Sequence, residues 1–436
     1  MAGVVKMNGR KKINKIELCF DMVSIIFLVS CLSFFGYRMF YYKNKLAPKD
    51  SNNKEVTLLT NEIKKNTVND GDGLYNVENI FIFKGKDLNN YIEYSNMLFR
   101  IIKINKDNTI EMIMDDTLNY LSYDKENTNY KSSNLNKYLN DVFYNNIKSN
   151  LLIKSPYCSD DISDINNISC NDIEIDYIKL LSLNDYLNSK NNNESYLDSE
   201  DVIWLSNTNQ NNVWVLNNGN LSLVKPELLY QVKPVITLNN LTRYICGNGS
   251  KDNPYKIENK DLYFASYVKL DNDLYRVSEA NNEILKLQLN DIYKNGNIKY
   301  SFSSKNNIFN INEGLGQYLN NTIYNELKYK DLLVDCDTYT GEYNFDYTNV
   351  TKETVKSKIG VNSIIEPIFN KENKNNYYLS TPYDKDQIYI YNNSVYNVKS
   401  NIIRNINFNV CINKNKISDG DGSLNNPYVL DSGVSK

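Results

Sequence analysis

Histidine is absent from all 436 residues. That excludes Ser-His-Asp and Cys-His catalysis, histidine-ligated zinc or iron, and imidazole pH switching. Proline (8) and glycine (17) are scarce, which excludes collagen-like and Gly/Pro-linker architectures. The 7 cysteines form no C-x-x-C spacing, so zinc-ribbon and thioredoxin-type sites have no support. A basic excess is also missing: the net charge is −3, whereas a general nucleic-acid binder needs a cationic surface to displace counterions. No nucleic-acid partner is expected. Tryptophan falls to 2 while tyrosine reaches 36, and asparagine, lysine and isoleucine are in excess. These abundant residues share AT-rich codons, so composition bias accounts for them better than selection for a binding surface does. What remains is a chain 41% hydrophobic and 23% charged, long enough for two to three domains with cores of their own.

Only one long apolar run is present, over residues 18–42 (LCFDMVSIIFLVSCLSFFGYRMFYY). Its length matches the roughly 20 residues that span a bilayer. Asp21 and Arg38 lie near its ends, and Tyr37, Tyr41 and Tyr42 suit an interfacial belt. Lys6, Arg10, Lys11, Lys12 and Lys15 precede it and favour a cytoplasmic N-terminus. A cleaved signal peptide is the competing reading, but the run is long for one and no small-x-small site follows. The expectation is a cytoplasmic tail (1–17), a transmembrane signal anchor (18–42) and a polar stalk (43–68) carrying an extracellular body. Two domains are expected in that body, 69–258 and 259–436.

An internal duplication, offset by about 175 residues, supports that division. Leu98-Phe99-Arg100-Ile101 answers Leu274-Tyr275-Arg276-Val277, and Tyr138-Leu139-Asn140 answers Tyr318-Leu319-Asn320. Trp204-Leu205-Ser206 answers Tyr378-Leu379-Ser380, and VWVLNN from Val213 answers IYIYNN from Ile388. Val235-Ile236 answers Val410-Cys411; Gly247-Asn248-Gly249-Ser250 with Asn253-Pro254-Tyr255 answers Gly420-Asp421-Gly422-Ser423 with Asn426-Pro427-Tyr428. Within one copy the pattern predicts strands over 99–105 and 109–114, a helix over 133–147 capped by Ser132 or Ser133, and a short strand at 177–181. A helix over 182–188 capped by Ser182, a strand over 202–205, a hairpin over 213–224 turning at Asn217-Asn218-Gly219-Asn220, and a closing strand over 232–238 follow. The halves should separate near Glu258-Asn259-Lys260, the first more stable than the second.

Asp72-Gly73-Leu74-Tyr75, Lys84-Gly85, Asn89-Asn90-Tyr91, Phe99-Arg100-Ile101-Ile102 and Asp107-Asn108-Thr109-Ile110 resemble the opening of a module common in surface proteins of low-GC Gram-positive bacteria. That module reads D-G-L-Y, K-G, N-N-Y, W-R-I-I and D-G-T-I, and ends in the glycine-rich Asn-Pro-Tyr exit. It has no assigned function. Its order of strands and helices is similar to C-type-lectin-like folds, which implies an α+β class: two tandem lectin-like domains with antiparallel sheets. The resemblance is fuller over 70–258 than over 262–431, and the module's tryptophan is replaced by Phe99 and Tyr275.

Chemical signals are sparse. Asp70-Gly71-Asp72-Gly73 and Asp419-Gly420-Asp421-Gly422 look like calcium-loop fragments, yet a calcium loop needs ligands and a glycine at positions filled here by Leu74, Tyr75 and Leu424, so turns are favoured and no metal is expected. Cys158 and Cys170, in a polar loop, are the candidate disulfide, with Cys158 loosely aligned to Cys336. Trp204, Trp214 and Arg100 are the candidate ligand contacts, each weighed against core packing or a structural ion pair. No catalytic residue and no cofactor are expected. The favoured function is ligand binding or adhesion at the cell surface, towards a glycan or a surface protein, with the cytoplasmic membrane as the other partner. An envelope-acting enzyme and a structural or regulatory partner of a membrane complex are the alternatives.

Overall fold

The computed structural model describes residues 57–431 except 199, 259–261 and 370–375. The chain divides into two units, Met1–Thr57 and Leu58–Lys436. The expected membrane anchor at 18–42 lies outside the described residues; among the described ones no helix is long and apolar enough to cross a membrane. The second unit is mostly β-sheet, antiparallel in nearly every pairing, with few and short helices.

Its first half holds two large sheets beside two small hairpin pairs, Ser155–Cys158 with Ile173–Asp176 and Tyr244–Cys246 with Lys256–Ile257. One large sheet runs in the order Gly73–Val77, Ile80–Lys84, Met97–Ile104, Ile110–Met114, Val235–Leu238, Ile178–Lys179, with Tyr91–Tyr94 also on Met97–Ile104. The other runs Asn220–Val224, Asn212–Asn217, Ile203–Asn209, Tyr230–Val232, Asn119–Leu121. The closing strand predicted over 232–238 is thus two strands in different sheets. Lys233-Pro234 parts them, because proline offers no N–H to continue a ladder. The second half places Asp273–Ala280, Ile284–Leu289, Asn409–Asn413 and Ile359–Gly360 in the same antiparallel succession. Its smaller sheet repeats a hairpin beside one parallel pair, Tyr377↔Asn405 where the first half has Ile203↔Gln231.

The expected 133–147 helix is capped by Ser133, whose hydroxyl accepts from Asn136 N. It is interrupted by a π-helical stretch, Leu139–Phe143, as its counterpart is by Tyr318–Ile323. The extra residue in each π turn swings an asparagine onto the neighbouring short strand. Asn140 donates to Ile178 O (2.9 Å) and accepts from Ile178 N (3.0 Å). Asn320 does the same to Ile359, at 2.9 and 3.1 Å. This clasp explains why Tyr-Leu-Asn recurs in both halves. Asn140→Ala or Asn320→Ala strands a buried N–H and C=O and is expected to cost about 2 kcal/mol, read from denaturant midpoints. A change under about 0.5 kcal/mol would remove the clasp from the account.

Two exit loops close the halves. Gly249 and Gly422 have positive φ, and a Cβ on Gly249 would stand 2.4 Å from Asn89 O. The loops lay Tyr255 beside Ile92 and Tyr428 beside Val268 in parallel pairing. At the other glycine-rich run, Asp72 accepts from Lys86 N (2.8 Å) and Asn191 Nδ2 (2.9 Å), which holds its carboxyl below the ordinary value. Both runs serve as loop staples.

Of the expected stalk, residues 43–56 lie outside the described ones, and the part that is described is folded. Leu59–Lys64 is a helix, with Leu59 and Ile63 one turn apart and fully buried, and Leu59 N bonds Thr242 O (2.9 Å). The folded body therefore begins at Leu58 rather than at 69. The two halves also share a core. Phe143 packs edge-on to Phe264 (5.7 Å between ring centres), Tyr138 to Tyr347 (5.8 Å), and Tyr138 OH donates to Ile365 O at 2.6 Å. Ile364, Tyr377 and Tyr391 from the second half belong to the first half's hydrophobic cluster.

Candidate functional site

A cavity of about 290 Å³ opens at the seam between the halves. Tyr138, Asp141 and Phe143 reach it from the π-interrupted helix of the first half. Phe264, Glu279, Tyr339 and Glu366 reach it from the second. The lining holds three carboxylates and neither lysine nor arginine. Asp141 accepts from Tyr347 OH (2.8 Å) and Glu279 from Tyr339 OH (3.2 Å), both phenols that burial keeps protonated. Glu366 accepts from Ser363 N (2.6 Å) and pairs with Lys286 Nζ (2.6 Å) behind the wall.

This charge cluster has a counterpart with a different balance. In the first half Lys103 faces Glu111 across neighbouring strands; in the second Glu279 faces Lys286 at the same register, with the charges exchanged. Ser182 caps a helix and bonds Asp185, as Ser363 bonds Glu366. The buried Lys179 ammonium lies 2.6 Å from Glu111 and donates to Pro156 O (2.9 Å). Lys286 sends its ammonium to the matching carbonyl, Asp337 O (2.8 Å), from a different strand. The first half thus balances two lysines against Glu111 and Asp185. The second has Lys286 alone against Glu279 and Glu366, and Asp141 adds a further negative charge at the seam.

Burial works against the Lys103 and Lys286 ammoniums, but their carboxylate partners outweigh it and hold both above the ordinary 10.5. Burial opposes the Asp185 carboxylate too, yet Lys103 and Lys179 hold it below 3.8. A raised lysine gives stability that is complete below the ordinary lysine value and lost only as pH climbs through the folded one. A depressed carboxylate gives stability that is complete above the ordinary value and lost as pH falls through the folded one. With no histidine to titrate between, the melting temperature should hold within about 2 °C from pH 5.5 to 8 and fall in acid, as Asp185 protonates, and again in strong alkali, as Lys103 and Lys286 lose their protons. A steady slope across that window in a pH series of melts would contradict this arrangement.

The sequence-predicted ligand residues are elsewhere. Trp204 is 1% exposed, donates to Leu121 O (2.8 Å) and packs edge-on to Tyr230. Trp214 is buried and donates to Ile162 O (3.1 Å). Both indoles are core residues: Trp204 pairs with Val215 and so faces the opposite side of the sheet from Trp214, and both sides of these two strands are buried. Arg100 is spent on Asn90 Oδ1 (2.6 Å) and Tyr91 OH (2.9 Å) and stacks on Tyr91 and Tyr196, with Asp115 at 4.0 Å. Its counterpart Arg276 ties the halves together, donating to Ala265 O and to Asn96 O. None of Trp204, Trp214 and Arg100 lines the seam cavity. No motif in the sequence marks the cavity lining; the one signal near it is Lys286, a charge between Leu285 and Leu287 in the strand behind the wall.

Cys158 and Cys170, the candidate disulfide, lie near one another but stand as free thiols. Their sulfurs and an Asp160 oxygen all lie within 4.8 Å of one another, and burial, with Cys170 beside it, pushes the Cys158 thiol up to about 12. Zinc sites take four ligands, and the Asp160 oxygens already accept from Asn171 N (2.6 Å) and Asp172 N (2.7 Å). The trio suits a loop clasp better than a metal centre. No family model, curated protein or solved structure matches the chain.

Proposed function

We propose that the chain is a single-pass surface protein, anchored through residues 18–42, whose two lectin-like modules form one extracellular body that binds a cationic, amine-bearing ligand at their seam. The observation that carries this is the seam cavity: aromatic walls contributed by both halves, and carboxylates in excess of their one lysine. Its volume of about 290 Å³ suits a single amino-sugar ring or one basic side chain of a partner protein. Fusion of two modules, rather than either alone, creates the site, since Asp141 and Glu279 belong to different halves.

The full chain in detergent, applied to arrays of amino sugars, their N-acetylated forms and basic peptides, should retain amine-bearing ligands and not the acetylated ones. Glu279→Gln should weaken that binding about tenfold, as expected for the loss of one charge-assisted contact. Equal retention of both ligand classes, or indifference to Glu279→Gln, would defeat the reading of the site. Protease added to intact, wall-stripped cells should digest the folded body; full protection would defeat the topology.

A further inference from the structure

The second half contains a buried pair of thiols that its first-half counterpart explains. Cys336 pairs with Ser357 in a hairpin leading to Ile359, as Ser155 pairs with Asp176 in a hairpin leading to Ile178. Cys411 lies opposite Lys286, as Thr237 lies opposite Glu111. Sheet register therefore sets Cys336 on Ser155, not on Cys158 as the linear alignment suggested, and Cys411 on Thr237. In the first half these two positions touch: Thr237 Oγ1 donates to Ser155 Oγ at 2.7 Å, fully buried. In the second half the two cysteines are likewise buried and line one small cavity of about 100 Å³. We propose that Cys336 and Cys411 form a disulfide that bolts the Cys336–Tyr339 hairpin to the Asn409–Asn413 strand, replacing the hydroxyl pair of the first half.

The chemistry is a two-electron oxidation. One thiolate attacks a small-molecule disulfide such as oxidised glutathione, forming a mixed disulfide and releasing one glutathione thiol. The second cysteine displaces the other glutathione; the two cysteine protons end on the two glutathione thiols. Both cysteines are buried in the folded body, so the bond closes during folding, before the sulfurs are shut away from a small-molecule disulfide; burial and the neighbouring Cys336 thiol also raise the Cys411 thiol above its ordinary value, which keeps later exchange slow. The closed loop is long, about 75 residues, which is where a crosslink restrains the unfolded chain most.

The full chain, refolded in a glutathione redox buffer and alkylated in denaturant, is digested without reduction. The expected result is one linked species joining the Cys336 and Cys411 peptides, lighter by two hydrogens than their sum and split by reductant. Alkylation of both residues in a refolded chain, or linkage of either to another cysteine, would overturn the proposal. Cys336→Ser/Cys411→Thr supplies the second readout, since it installs the hydroxyl pair already used in the first half. Reduction should lower the wild-type melting temperature by about 5 °C more than that of the double variant. Equal shifts in the two proteins would also overturn it.

Discussion

Replacing Lys286 with methionine is expected to destabilise the folded body by about 3–5 kcal/mol, the cost of leaving a buried carboxylate without its partner. Lys286 and Glu366 are each only 5% exposed and stand 2.6 Å apart. Methionine fills the space of the aliphatic stem, so the loss reports charge rather than volume. Glu366→Gln keeps an acceptor for Ser363 N and removes the charge. The double variant Lys286→Met/Glu366→Gln should therefore recover more than half of the single loss in urea melts. Additive losses would show that the pair is not coupled. The first half offers the contrast. Lys179→Met leaves Glu111 with Lys103 at 3.2 Å, so its cost should be about half that of Lys286→Met. Two lysines share the load there and one bears it in the second half, which is why the larger effect falls beside the seam.

Much of the local structure is legible because it is written locally. The hairpin at Asn217-Asn218-Gly219-Asn220 forms where asparagine and glycine accept positive φ, and Asn218 and Gly219 adopt it. Ser133 and Ser182 cap the helices they announce. The α+β reading is right in its coarse form, although strands outweigh helices. The readings that fail depend on partners far away in sequence. Leu59 and Ile63 look like part of a polar tether until Leu58 and Leu59 pair with Arg243 and Thr242 and both side chains are buried in the body. Trp204 and Trp214 suit a sugar platform by residue type, yet their indole N–H groups are satisfied by Leu121 O and Ile162 O inside the core. Cys336 aligns with Cys158 by chain offset and with Ser155 by sheet register, because the offset between the halves drifts along the chain and at this hairpin exceeds the average repeat spacing, while the hairpin itself keeps its length. The seam cavity could not be read at all. Its carboxylates are ordinary surface residues until Phe143 and Phe264 bring the halves together.

Cutting the chain at the seam should have the second large effect. Residues 58–258 retain all the sheets of the first half and its clasp at Asn140, and lose only what the second half lays over them. That segment is expected to fold in one cooperative transition but to melt at least about 10 °C below the intact body, since Leu118, Tyr138 and Phe143 would meet water. Residues 262–436 are worse placed. Their Phe264, Ile364, Ile365, Tyr377 and Tyr391 complete the first half's core rather than their own. Freed from it, these side chains form an exposed apolar face, and Asn96 O and Leu118 O no longer receive Arg276 and Ile368 N. The second segment alone should show no cooperative melt and should bind a hydrophobic dye. Mixing the two should restore the melt of the intact body, because the contacts across the seam need no covalent link. Two independent melts that sum to that of the intact chain would mean that the seam is a mere contact between finished domains, and the ligand site built on it would lose its physical basis.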